Sequence, residues 1–255
     1  MIHSEELYKR MINFGNDKFV NMNKLEFETR KCFLDPNYLI SCFLDKEEDL
    51  FNVDINRKYI NIFKNFKTSP RIIVKQNNYN NLFDGDINKY SDIEIIFYLY
   101  IIMLLILNEH NARTVTIGIV CNNMIKSKRF LEKIKYILKT NFPDLLYFRK
   151  GENFLELESG SRIQVGSINH AAPDRLFCGM SVTHLFFFET HLLMKIRDAL
   201  NGIIPTFESI KSWTYRNDQE IKSQLFFHGN ILNNEDIFEK ILGNKYHDMY
   251  NVMNI

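Results

Sequence analysis

A chain of 255 residues with 45% hydrophobic residues, including 22 Phe and 12 Tyr, carries enough apolar side chain for a large core, which excludes wholesale disorder. Its formal net charge of +1 removes overall basicity as an argument for nucleic acid and leaves only a local basic face as a route to it. The four cysteines, Cys32, Cys42, Cys121 and Cys178, form no CxxC pair. That spacing argues against a zinc ribbon or a redox motif, and for small core hydrophobes in a reducing compartment.

The opening stretch MIHSEELYKR is charged and has no apolar run of the secretory type. Residues 1–68 read as a mostly helical segment. Ser4 is a plausible cap for a helix that stops near Gly15, and Asp35 before Pro36 is a cap followed by a first-turn proline. Ile55, Tyr59, Ile62, Phe63 and Phe66 recur at helical spacing until Pro70 turns the chain. Residues 69–255 then read as an α/β domain.

RIIVK is short and β-branched, hence a buried strand. A polar loop, QNNYNNLFDGDINKYS, follows it. Ser91 and Glu94 form a capping box ahead of the apolar run 95–107, which is too short to span a bilayer and reads as a buried core helix. TVTIGIVC is a second strand. IKSKRFLEKIKYILKTNF is an amphipathic helix with apolar Phe130, Leu131, Ile134, Ile137 and Leu138. NFLELESGSRIQVGSI reads as a hairpin about Ser159-Gly160. VTHLFFFE and SQLFFH are further core strands, KIRDALNGII is a helix between them, and DIFEKILGNKYHDMY closes as one helix.

Continuously apolar strands alternating with helices imply a parallel sheet covered on both faces. Ligands of such sheets bind at the carboxyl ends of the strands. Those ends are Lys75-Gln76, Cys121-Asn122, Phe188-Glu189 and Phe227-His228.

The order of these segments resembles the ATPase domain of tailed-phage terminase large subunits. The specific part is 154–191: a strand, a glycine–serine turn, a second strand, the loop DRLFCG, and the hydrophobic strand HLFFFET with an acidic residue at its end. The resemblance implies a P-loop NTPase-like α/β fold of the ASCE type, a mostly parallel sheet flanked by helices with an N-terminal helical part. It also implies a role related to viral DNA packaging, in the infected cell or on the virion. The expected partners are a viral protein, a packaging or virion component, and double-stranded DNA; no membrane is implied.

The family's phosphate cradle supplies glycines, a lysine and a hydroxyl between the first strand and the buried helix. This chain has no Gly-Lys-Ser/Thr there, and Asp84 and Asp86 would repel phosphate. Phe188 stands at the family's metal-holding aspartate, and Glu189 at the glutamate that activates the attacking water. Arg175 remains near the loop glycine, His228-Gly229-Asn230 takes the place of the coupling turn, and Asn56 is the implied counterpart of an upstream adenine-reading glutamine. The family's nuclease domain is not expected within 255 residues. The combination implies a pseudo-ATPase that acts by binding, with Glu189 a vestigial catalytic residue and no cofactor. Two alternatives stand beside it. One is an active packaging ATPase, binding ATP and Mg²⁺ at a site that is non-standard or completed by a partner. The other is a structural or interaction module that retains only the scaffold.

Other candidate sites are weaker. In DGDINKYSDIE, Asp84, Asp86 and Asn88 match calcium-loop spacing, but Lys89 replaces the required glycine and Ile95 the bidentate glutamate. His184, Glu189 and His191 do not form a spaced metal-ligand set, because His184 and Glu189 fall on opposite faces of a strand. Lys126, Lys128, Arg129, Lys133, Lys135 and Lys139 make a basic helix. It is either a solvated face or a surface that contacts DNA phosphates.

Overall fold

The computed structural model describes residues 65–66, 69–76, 92–109, 115–141, 147–158, 160–169, 176–177, 180, 182–190, 213–214, 220–221, 224–230, 237–243 and 246–254. The expected helices of residues 1–64, the polar loop 77–91 and the helix expected at 195–204 lie outside these residues.

Among the described residues ten strands and four helices follow one another in this order: β1 (Arg71–Gln76), α1 (Asp92–Glu109), β2 (Thr116–Cys121), α2 (Met124–Asn141), β3 (Tyr147–Lys150), β4 (Phe154–Leu157), β5 (Arg162–Ser167), β6 (His184–Phe187), β7 (Trp213–Thr214), β8 (Glu220–Ile221), β9 (Gln224–Asn230), α3 (Ile237–Leu242), α4 (Tyr246–Met249) and β10 (Asn251–Asn254). Eight strands form one sheet in the order β10-β1-β9-β6-β2-β5-β4-β3, and β7 pairs separately with β8. From β10 to β5 every neighbouring pair is parallel, and β5-β4-β3 continues as an antiparallel meander. The chain passes from β1 to β2 over α1 and later fills the gap between them with β6 and β9. In open α/β sheets ligands bind at the carboxyl ends of the strands, which makes this edge the place to seek a site.

Alternation along each strand divides the core in two. Ile72, Val74, Ile117, Ile119, Phe186 and Phe226 face α1 and α2, while Ile73, Val120, Leu185, Phe187, Leu225 and Phe227 face Phe238 and Tyr250. Helix α1 is buried from Ile93 to Tyr100 and again at Ile101, Ile102, Leu104 and Leu105, because it is apolar all round. Phe66, Phe97, Phe186, Phe188 and Phe226 stack and cross edge-to-face between α1 and the sheet.

Gly118 in β2 serves packing on the second face. A Cβ there would approach Leu185 Cδ1 and Phe177 Cε2 to 3.0 Å each, so the missing side chain lets the Phe177 ring lie over the strand. At the amino end of the sheet, Gln224 donates to the Phe66 and Ser69 carbonyls and accepts from the Tyr100 hydroxyl, whose oxygen also lies 3.0 Å from Phe66 O. His184, beside Gln224 in register, is fully buried and contacts the Thr183 hydroxyl at 3.0 Å.

One expectation is corrected by the structure, and the expected hairpin is found and extended. The single closing helix is two short ones, broken by Gly243 at φ 86°, a left-handed conformation suited to glycine. The hairpin is part of a three-stranded meander that includes Tyr147–Lys150.

Candidate functional site at the carboxyl edge of the sheet

β6 delivers Glu189 to the carboxyl edge. Phe188 still belongs to the ladder, its N–H donating to Val120 O at 2.9 Å, and Glu189 follows in the left-handed region at φ 53°. A non-glycine residue held there carries backbone strain of order 1–3 kcal/mol, which persists only where surroundings impose it. Here they include a buried ion pair. Lys126 Nζ lies 3.0 Å from both Glu189 carboxylate oxygens, and the two side chains are 8% and 2% exposed.

Lys126 is placed by the start of α2. Asn123 caps the helix, accepting the Lys126 N–H on its side-chain oxygen at 2.9 Å. Ser127 is fully buried and donates to Gly166 O at 2.6 Å. Cys121 at the end of β2 packs in this cluster. Burial pushes its thiol up to about 12, with Glu189 adding to the rise while Ser127 and Lys126 oppose it. The Asn122 Oδ1 and Thr190 Oγ1 atoms are buried on the same edge without a hydrogen-bond partner.

The structure redistributes the six cations of the basic helix. Lys126 and Lys133 point inward: Lys133 is 3% exposed, 3.9 Å from the buried Glu94 carboxylate and over the Tyr98 ring. They are corrected from surface to interior because they share the helical phase of buried Phe130 and Ile137. Lys128 pairs with Glu152 at 2.5 Å, holding that carboxyl below its ordinary range. Lys135 reaches Glu132 at 2.7 Å and Gly151 O at 2.6 Å. Arg129 and Lys139 remain on the exposed face, together with Ile125 and Tyr136.

Phe188 is fully buried, its ring 4.9 Å from that of Phe97 and 5.3 Å from that of Phe130. A phenyl ring directed into the α1 face offers nothing to a cation at the edge. His228, at the corresponding end of β9, packs beside the Phe97 and Phe188 rings at centroid distances of 5.5 and 6.5 Å and contacts Gln76 Oε1 at 3.1 Å. Lys75, near the end of β1, lies over the Phe238 ring on the other face. His184 and Glu189 stand at opposite ends of β6, roughly 16 Å apart at strand rise. Among the described residues no group of three or more His, Cys, Asp or Glu is close enough to hold a metal ion. Two features stand at the end of β6. Phe188 is a core phenylalanine, and the adjacent Glu189 carboxylate is matched by the Lys126 ammonium.

Among the described residues no helix is long and apolar enough to cross a membrane. No protein-family model matches the sequence, and no curated protein matches it. Solved structures do. The large terminase of a thermophilic bacteriophage superposes with a TM-score of 0.52 at 13% identity, over 78% of this chain and 45% of its own. A point mutant of the large terminase ATPase domain of Thermus phage P74-26 superposes with a TM-score of 0.50 at 10% identity, over 78% of this chain and 80% of its own. The chain thus spans less than half of the first of these proteins, and at such identities the likeness is one of fold. That fold is the mostly parallel, helix-flanked α/β sheet of P-loop NTPase type found in phage large terminases.

Proposed function

We propose that this chain is a terminase-like viral protein related to DNA packaging that works by binding, without turning over ATP. It acts in the cytoplasm of the infected cell or on the virion, on a packaging or virion component. The observation that supports this reading is the carboxyl edge of the sheet, where Phe188 is packed into the core and Glu189 is matched by Lys126. A phosphoryl-transfer site works by positioning and by charge stabilisation through a metal and a phosphate cradle. The sequence of 77–91 supplies no Gly-Lys-Ser/Thr cradle. Titration with a fluorescent ATP analogue and Mg²⁺ tests the proposal: no saturable binding is expected. Micromolar binding competed by ATP, or steady hydrolysis, refutes it.

Double-stranded DNA is the proposed nucleic-acid ligand, held by the outer face of α2. Arg129 and Lys139 supply the charge there, and Ile125 and Tyr136 supply exposed apolar surface. Contacts of this kind give affinity that falls steeply with salt. Arg129→Glu with Lys139→Glu is expected to abolish salt-dependent binding in a fluorescence-anisotropy titration. Lys128 and Lys135 are poorer choices for mutation, since both are engaged within the fold. Unchanged binding by the double variant removes α2 from the interface.

A second reading, an active ATPase completed by a partner chain, is favoured by one observation. Glu189 is held in a strained backbone conformation at the address of a catalytic glutamate. ATP hydrolysis appearing only on mixing with other packaging proteins, and lost in Glu189→Gln, would establish it.

A further inference from the structure

The outer side of α2 is not uniformly basic, and one acid that interrupts it comes from another element. We propose that Glu152 is a built-in competitor for DNA phosphate: its carboxylate occupies Lys128 in the free protein and has to be displaced before that lysine joins Arg129 and Lys139 on the duplex backbone. The inference rests on the reading of α2 as the DNA-binding face and concerns what regulates its affinity.

Glu152 stands in the turn between β3 and β4, and that turn is fixed against α2. The Gly151 N–H donates to Phe154 O at 2.9 Å and closes the turn, while Gly151 O accepts from Lys135 Nζ at 2.6 Å. Asn153 O accepts from the Val165 N–H of β5 at 2.9 Å. So held, the turn presents the Glu152 carboxylate to Lys128 Nζ at 2.5 Å. The hydrogen bond and charge of Lys128 hold that carboxyl below its ordinary range, so at neutral pH the lysine faces a full negative charge.

Unlike the pair of Lys126 and Glu189, this one is open to water, with side chains 39% and 81% exposed. An exposed pair contributes little to stability and opens at small cost. A DNA phosphate offers what the carboxylate offers, an anionic oxygen for an ammonium to donate to. Lys128 also lies in line with the other cations. It precedes Arg129, and Lys139 returns to within about 20° of the same line along the helix after about 16 Å of rise. Arg129 and Lys139 are exposed and make no ion pair among the described residues. The acid within α2, Glu132, is taken up by Lys135. Exchanging carboxylate for phosphate on one ammonium releases little net counterion, since Glu152 gathers a cation as it leaves. Lys128 therefore adds little to affinity or to salt dependence while Glu152 is present.

The test uses the full chain and a fluorescein-labelled DNA duplex, with anisotropy titrations at several salt concentrations. Glu152→Gln is expected to tighten binding about 3–10-fold at low salt and to steepen the dependence of log K on log salt by about 0.9, the share of one phosphate contact. Lys128→Ala is expected to cost more in the Glu152→Gln background than in wild type, and to remove both the gain and the added slope. The inference is overturned if Glu152→Gln binds as wild type does, or if its gain survives Lys128→Ala, which would make it an effect of net charge alone. The two readings fail separately. Binding that is lost on Arg129→Glu with Lys139→Glu but is indifferent to Glu152→Gln keeps α2 as the interface and overturns the competitor. Salt-dependent binding by none of these proteins overturns both.

Discussion

Phe188→Asp introduces the residue type that the terminase resemblance implies at this position, and the structure predicts that this aspartate would wreck the fold. Phe188 is fully buried, its ring among those of Phe97, Phe130, Phe186, Phe226 and His228 at centroid distances of 4.9 to 6.5 Å. Truncating such a phenylalanine to alanine costs about 3–5 kcal/mol in lost burial and cavity formation. An unpaired carboxylate in the same hole adds several more, so the total reaches roughly the 5–15 kcal/mol that holds a whole domain together. Phe188→Leu keeps most of the volume and should cost about 1.5 kcal/mol or less. For a chain of this size that is a fall in Tm of about 3–6 °C. Thermal denaturation followed by near-ultraviolet circular dichroism distinguishes the cases: a modest shift for leucine, and no cooperative transition for aspartate. A Phe188→Asp protein melting within a few degrees of wild type would place residue 188 at a hydrated edge and refute the packing argument.

His184 should make the protein acid-sensitive. Burial lowers its imidazole to about 3, against an ordinary value of 6.5, so the unfolded chain takes up the proton first. Its contribution to stability is complete above pH ~6.5 and is lost at about 1.4 kcal/mol per pH unit as the pH falls toward the folded value. Urea midpoints of wild type and His184→Gln, compared from pH 7.5 to 5, should show the shallower dependence in the variant; parallel curves would contradict a buried neutral imidazole. Cys121, with its thiol pushed up to about 12, should resist alkylation in the native state at pH 8 and react only on unfolding. Peptide mapping after a short iodoacetamide pulse reads this directly, and native labelling of Cys121 would show the pocket open to solvent.

The sequence revealed the sheet's interior better than its periphery. The central strands were legible because each is buried on both faces, so IIV in β1, IGIV in β2 and LFF in β6 and β9 read as unbroken apolar runs. β10 was not, because NVMN is short and mostly partly exposed, and only its pairing with β1 makes it a strand. Tyr147–Lys150 was missed for the same reason, since pairing with β4 defines it. At the site, Glu189 was legible from its position after a hydrophobic strand. Its partner was not, because a lysine in a lysine-rich helix reads as solvated. The phase offered the signal: Lys126 and Lys133 recur with Phe130 and Ile137 on the inward side of α2. No local pattern could name Glu94 and Glu189 as the acids that meet them, since those come from α1 and from the end of β6.

The placement of β1 has a further consequence for how the chain reaches this structure. β1 is flanked by β9 and β10, which lie far downstream, whereas α1, the most apolar helix described, follows β1 almost at once. During synthesis α1 and β1 therefore emerge well before the strands that complete the sheet around them. Loop closure over such separations makes folding slow and leaves apolar surface open to other chains. The nascent protein should depend on chaperones until β9 and β10 arrive, and a chain cut before Gln224 should aggregate instead of forming a smaller version of the domain.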